Sequence, residues 1–384
     1  MNYERVKTLA HFDTAIPNAA LALKQLKDDQ IKVVGTYCVY APQEIIIAAG
    51  AVPVSLCATK EEPIADGEKV LPRNFCPLIK SSYGFAITDK CPFFYFSDVV
   101  IGETTCDGKK KMFELMAQFK PLHVMNLPAG YASEADKAYW LASVEKMKAY
   151  LEAELGESIT GDRMRAAIRL LNEERLVMQE LAECMKLDPV PMTGQDLLKV
   201  LWARNFVFDR QEMMAKVRLL IQELKAAGQQ GQGPFPQGAK RIVVTGVPTG
   251  IGSEKVIKII EEAGAAVVYL DNCSGMKQFA TLVDETKPAL EAIAEKYLLT
   301  PCSCMSPNQI RMERMEKIIK DFRADGIVDI VWQGCHTYNV ESRVLRDHVQ
   351  KKCGLPFLHI ETDYSQGDVE QIRTRVQAFL EMLG

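Results

Sequence analysis

Residues 31–57 read IKVVGTYCVYAPQEIIIAAGAVPVSLC, and residues 241–273 read RIVVTGVPTGIGSEKVIKIIEEAGAAVVYLDNC. Each begins with a short unbroken apolar run, IKVVG or RIVVTG, the pattern of a strand buried on both faces. Each then crosses a loop into a helical stretch, EIIIAAG after Pro42 in the first and VIKIIEEAG in the second. Each returns as another strand, AVPVSL or AAVVYLDN, and the likeness continues downstream. SDVVIGETTC, a helix and KPLHVM in the first part match VDIVWQGC, a helix and LPFLHI in the second. The residues agree weakly, but their order and spacing agree well. Strands alternating with helices predict parallel sheets built from βαβ units.

Between the two repeats the texture changes. From residue 131 onward the chain is rich in Glu, Lys, Arg, Leu and Ala at helical spacing, as in RMRAAIRLLNEERLVMQELAECM. GQQGQGPFPQG (Gly228 to Gly238) then reads as a linker. The expected fold is α/β, with two similar domains of small parallel sheets flanked by helices and a helical insertion between them. The expected limits are 1–130 for the first α/β domain, 131–238 for the helical region and linker, and 239–384 for the second α/β domain. A length of 384 residues suits two or three such units.

Composition excludes several classes. The net charge is −4 and there is no long basic run, so nucleic acid is not an expected partner. No run of some 18 uncharged apolar residues predicts a membrane span. The opening MNYERVKTLAHFDTAIP lacks a basic region followed by an apolar one, so a cytoplasmic protein is expected.

The informative residue is cysteine, with 11 copies against 5 His. In a chain this long they suit metal or redox chemistry better than a disulfide scaffold. Most fall in loops after strands or directly before helices. Cys38 follows IKVVGTY, Cys76 precedes Pro77, Cys106 lies in TTCDGKKK, and Cys273 follows AAVVYLDN. Cys302 and Cys304 lie in TPCSCMSPNQ, where Ser306 and Pro307 read as an N-cap and first-turn pair. Cys335 ends the strand VDIVWQG. A helix N-terminus lowers a nearby thiol pKa and offers N–H groups to sulfur, so this placement suits an anionic metal–sulfur centre. Cys184 and Cys353 read as small apolar fillers, as do Cys57 and Cys91. Zinc is disfavoured because paired CxxC knuckles are absent. A cubane [4Fe–4S] cluster takes four cysteines, so three thiols from each half fall two short of two complete clusters. Either each cluster keeps an iron open for substrate, or the two share a bridging atom.

Several long motifs carry a resemblance: VGTYCVYAPQEIIIAAGAVPVSLC (34–57), LPRNFCPLIKSSYG (71–84), SDVVIGETTCDGKKKMFE (97–114), and GCHTYNVES with LPFLHIETDYS (334–365). Over nearly the whole chain the sequence resembles the 2-hydroxyacyl-CoA dehydratase family, which includes subunits of benzoyl-CoA reductase. Within it the chain is most similar to the double-cubane cluster proteins, with CxCMSPN and QGCHTY supporting that branch. The resemblance implies two α/β domains with a metal centre in the cleft between them. It implies a double-cubane [8Fe–9S] cluster, two cubanes joined by a sulfide, on Cys38, Cys76, Cys106, Cys273, Cys304 and Cys335. Cys57 or Cys302 can displace one of these. It also implies a separate homodimeric ATP-hydrolysing [4Fe–4S] reductase as electron donor, a small-molecule substrate and a homodimer. The alternative is a subunit of an acyl-CoA dehydratase or benzoyl-CoA-type reductase with a single [4Fe–4S] cluster. A zinc scaffold and a pure electron carrier belong to other classes.

Some residues beside the cysteines are candidates for proton or charge chemistry. His336 and Tyr338 can donate protons, while Glu44 and Lys80 lie in the cysteine loops. The run Lys109, Lys110 and Lys111 can offset cluster charge or dock the reductase, but three consecutive residues spread around a helix, and solvent exposure is the favoured reading. GVPTGIGSEK has neither phosphate-loop spacing and reads as a tight strand-to-helix turn capped by Ser253. His123 and His359 hold matching places in the two halves and read as structural.

Overall fold

Four strands build the first sheet of the computed structural model, which describes residues 4–384: β1 (Val33–Thr36), β2 (Val52–Ser55), β3 (Val99–Glu103) and β4 (Leu122–Met125). They lie in the order β2-β1-β3-β4 and are all parallel, with Val33 opposite Val52, Val34 opposite Val99 and Ile101 opposite His123. The second sheet comprises β5 (Arg241–Gly246), β6 (Ala266–Asp271), β7 (Gly326–Trp332) and β8 (Phe357–Thr362). Its order, β6-β5-β7-β8, repeats that of the first, again with parallel pairing. Every residue of β1, β3, β5, β6 and β7 is buried, which is why these runs are apolar without alternation. The two helix-flanked parallel sheets are the α/β architecture that the internal repeat predicts. Among the described residues no helix is long and apolar enough to cross a membrane. Residues 1–3 of the opening stretch lie outside the described residues.

The strand order positions the site. From β1 and from β3 the chain moves off in opposite directions, so a crevice opens at the carboxyl ends of these central strands. Cys38 follows β1, Cys106 follows β3 and Cys335 follows β7, all at such ends.

Between the sheets, helices Glu134–Leu155, Gly161–Cys184, Gly194–Ala203 and Arg210–Gln229 each begin at a capping side chain. Ser133, Thr160, Thr193 and Asp209 accept from backbone N–H groups of the first turn, and Ser133 forms a capping box with Asp136. This region shares its core with both sheets. Val177 and Leu181 join one buried apolar cluster with Leu23 and Val100 of the first half and Val243 and Val267 of the second. One apolar core therefore draws on residues to either side of positions 130 and 238. The expected linker is anchored as well. Phe235 is buried in that core, Gly233 lies against the Val190 carbonyl, and the Gly238 N–H donates to Asp188 at 2.9 Å.

One buried ion pair ties all three regions. Glu44, on the short helix Gln43–Ala48, is fully buried and meets Arg175 at 2.5 Å, while the Tyr297 hydroxyl donates to it at 2.8 Å. Burial opposes the Glu44 charge, but Arg175 and Lys296 hold its carboxyl below the usual range. Arg175 also donates to Asn172, whose amide reaches the Val283 carbonyl. Replacing Arg175 by alanine strands the Glu44 charge and should cost about 3–5 kcal/mol. The Glu44→Ala/Arg175→Ala double variant should lose less than the sum of the single losses. Urea unfolding followed by circular dichroism checks this, and additive losses contradict the tie.

Candidate metal centre

Cysteine enters the site by way of helix starts. Cys76 is the N-cap of helix Pro77–Thr88, with Pro77 as its first residue. Cys106 caps helix Asp107–Met116, and its sulfur accepts from the Lys109 backbone N–H at 3.4 Å. Cys335 caps helix His336–His348. All three sulfurs thus sit where free N–H groups and the positive end of a helix favour negative charge. Gly334 lets the two halves meet here. Its φ is +75°, and a Cβ on it would stand 2.6 Å from the Asn74 carbonyl oxygen and 3.2 Å from the Cys76 nitrogen. The turn after β7 is therefore pressed backbone to backbone against the loop that presents Cys76.

A cavity of about 580 Å³ opens between the carboxyl ends of the two sheets, lined by the seven cysteines 38, 57, 76, 106, 273, 302 and 335. Five of the six expected ligands are among them. Cys304 is not. It lies 3.9 Å from the Tyr40 hydroxyl, and its thiol donates to Cys302. That hydrogen bond, helped by Lys277, holds the buried Cys302 thiol below its ordinary pKa. Of this pair, Cys302 lines the cavity and Cys304 does not. Cys57 lines the cavity, but its thiol is engaged with the Tyr37 carbonyl at 2.6 Å. The helix after this loop begins at Gln309 with Asn308 as N-cap, two residues beyond the expected start. The Ser306–Pro307 bond is cis, and the Asn308 amide donates instead to Cys302 O and Glu341.

Burial pushes most of these thiols up, to about 12 for Cys76 and about 11 for Cys273 and Cys335, and raises Cys38 as well. Neighbouring thiolates add to this: Cys76 feels Cys335 and Cys106, Cys38 feels Cys273 and Cys302, and Cys335 feels Cys106 and Cys302. Among the described residues no three His, Cys, Asp or Glu side chains converge as one metal ion requires. The sulfurs ring a space instead. That donor set fits a polynuclear iron–sulfur group better than a tetrahedral zinc ion.

Two buried lysines stand beside the thiols. Lys109 reaches the Tyr37 carbonyl at 3.3 Å and lies 3.9 Å from Glu103. Burial opposes its charge, but Cys38, Glu103 and Cys57 outweigh that and raise its pKa. Burial pushes the Glu103 carboxyl up to about 8 against the pull of Lys109. Lys277 donates to the Tyr338 hydroxyl at 3.2 Å. Sequence reasoning favoured solvent for the run containing Lys109, with an offset of metal-centre charge as the alternative, and passed over Lys277 and Glu103. The missed signal for Lys109 is its spacing: with Met112, Phe113 and Met116 it forms the buried stripe of its helix.

His336 and Tyr338 both line the cavity. Glu44 does not, being held in the ion pair with Arg175. Lys80 also points elsewhere, pairing with Glu68 at 2.8 Å and donating to the Arg73 carbonyl. In the GVPTGIGSEK turn, Ser253 bonds back to Gly250, and helix Lys255–Glu262 starts without a side-chain cap from it. His123 stacks on Tyr150 and His359 meets Asp329 at 3.0 Å, both away from the cavity.

Comparison with known proteins agrees with this architecture. A family model described as 2-hydroxyglutaryl-CoA dehydratase, D-component, matches residues 38–383. An Escherichia coli (strain K12) chain, YjiM, provisionally named a dehydratase subunit, is 46% identical over 372 residues, 97% of each chain. The (R)-phenyllactyl-CoA dehydratase beta subunit of Clostridium sporogenes is 26% identical over 94% of each chain. A benzoyl-CoA reductase subunit of Thauera aromatica is 20% identical over 93% of this chain and 92% of its own. The chain belongs to the family of 2-hydroxyacyl-CoA dehydratase and benzoyl-CoA reductase subunits.

Proposed function

We propose that this chain is a cytoplasmic, oxygen-sensitive iron–sulfur reductase that acts on a small molecule at low potential. Its centre is a double-cubane [8Fe–9S] cluster on Cys38, Cys76, Cys106, Cys273, Cys302 and Cys335. Its electrons come from a separate homodimeric, ATP-hydrolysing [4Fe–4S] reductase, and the chain itself works as a homodimer. The observation that carries this reading is one cavity ringed by cysteines from both α/β halves. Thiols of the two halves that interact across the cavity support one shared polynuclear centre, and the engaged Cys57 thiol and a lining that includes Cys302 but not Cys304 support the choice of six.

Bound there, the cluster would supply low-potential electrons. The protein's own part is to hold the thiolates, exclude water and manage protons. Helix N-termini at Cys76, Cys106 and Cys335 offset negative charge on sulfur. Tyr338, whose hydroxyl burial keeps protonated, faces the cavity with Lys277 behind it as a source of protons. His336, at the first turn of its helix, is a second donor.

A second reading is a CoA dehydratase or reductase subunit with a single [4Fe–4S] cluster, favoured by relatives named as subunits of such enzymes. Iron and acid-labile sulfide, measured on protein purified without oxygen, separate the two. About eight irons per chain supports the double cubane and about four supports the single cluster. Zinc without sulfide overturns both. Cys302→Ser and Cys335→Ser should lose a large share of the iron, whereas Cys304→Ser should retain nearly all of it. Retained iron in Cys302→Ser with loss in Cys304→Ser would reverse the ligand assignment. Gly334→Ala forces a Cβ against the Asn74 carbonyl, so it should lower iron content while circular dichroism stays near wild type.

A further inference from the structure

A second cavity, of about 460 Å³, shares no lining residue with the cysteine-lined one. One wall is helix Gly161–Cys184, through Gln179 and Glu183. The other is helix Gln309–Phe322, through Ile310, Arg314, Lys317, Ile318 and Asp321. Those positions recur every three or four residues, so one face of that helix is turned to the cavity. Leu299 and Phe322 add apolar surface. Its polar centre is Arg314 with Tyr269. Arg314 Nε donates to Asp271 at 3.1 Å, and Nη2 donates to the Tyr269 hydroxyl at 3.2 Å and the Met276 carbonyl at 3.3 Å. Among the described residues Arg314 Nη1 has no hydrogen-bond partner, and the Tyr269 hydroxyl accepts from Arg314 but donates to nothing. Tyr269 is only 7% exposed, and burial raises its pKa, so its proton remains available to donate. Lys317, Glu313 and Asp321 also line the cavity, and among the described residues none of them has an ion-pair partner. Glu183, across from them, is held by Lys186 at 2.7 Å.

We propose that this second cavity binds a zwitterion of amino-acid size with an apolar side chain. The carboxylate lies on Arg314 Nη1 and the Tyr269 hydroxyl, with Lys317 reaching it from the rim. Charge-assisted hydrogen bonds of this kind are the strong ones, and a guanidinium already fixed by Asp271 and Met276 loses little freedom on binding. The ammonium group faces Asp321 and Glu313, and the side chain covers Leu299, Ile318 and Phe322. A plain anion meets those free carboxylates as repulsion, and a plain cation meets Arg314 and Lys317 in the same way, so the mixed lining selects for both charges on one molecule. The site does not depend on what the cysteines hold.

Isothermal titration calorimetry of the full-length chain with L-leucine, L-methionine and L-phenylalanine tests this. At least one of the three should bind at millimolar concentration or below, with one site per chain. Removing the carboxylate of the tightest binder, as its amide, or its amine, as the deaminated acid, should each weaken binding about tenfold or more. Lys317→Met changes an exposed rim residue, and Tyr269→Phe keeps the ring packed on Phe322 at 4.6 Å. Each should weaken binding about tenfold while circular dichroism stays near wild type. No binding by any of the three, equal binding of the amide or the deaminated acid, or unchanged binding in either variant overturns the assignment.

Discussion

Gly334 leaves no room for a side chain between itself and the carbonyl of Asn74, and this contact sets how closely the two α/β halves approach. Each half places its strand ends at a crevice, but neither alone surrounds a cavity. Pressed together there, they bring the thiols after β1, β2 and β3 opposite those after β6 and β7. A side chain at Gly334 would press on the Asn74 carbonyl and the Cys76 nitrogen of the opposite half. The more distant tie of Glu44 to Arg175 and Tyr297 keeps the remaining faces registered, so the cavity has little freedom to splay.

The same burial that shapes the cavity makes it costly for bare thiolates. Desolvation raises Cys38, Cys76, Cys273 and Cys335, and the helix N-termini offset only part of that. Cys302 departs from this trend because Cys304 donates to it. The CxC pair thus divides its labour: one sulfur faces the cavity and the other supports it.

The path from sequence to site is uneven in an instructive way. Cys76 and Cys335 were legible because a helix start is local, signalled by Pro77 in one case and by the end of an apolar run in the other. Choosing between Cys302 and Cys304 was not possible locally, since the contacts that distinguish them, such as that of Cys304 with Tyr40 of the opposite half, join residues far apart in the chain. Glu44 looked like a site residue because of its neighbours in the chain, yet its partner Arg175 is 131 positions away. Lys109 was hidden for a different reason. A run of three lysines suggests solvent, and only the helical stripe through Met112, Phe113 and Met116 betrays its inward direction.

The sequence by itself determined the elements and their order: the paired βαβ units, the parallel sheets and the cysteines at strand ends. These follow from hydrophobic period, turn residues and repeat, all of which act over a few residues. Tertiary structure decided which thiols share a space, which charges stand beside them and which carboxylate is tied up in the core. Those outcomes depend on desolvation and on contacts between residues more than a hundred positions apart, and neither is written in any local stretch of the chain.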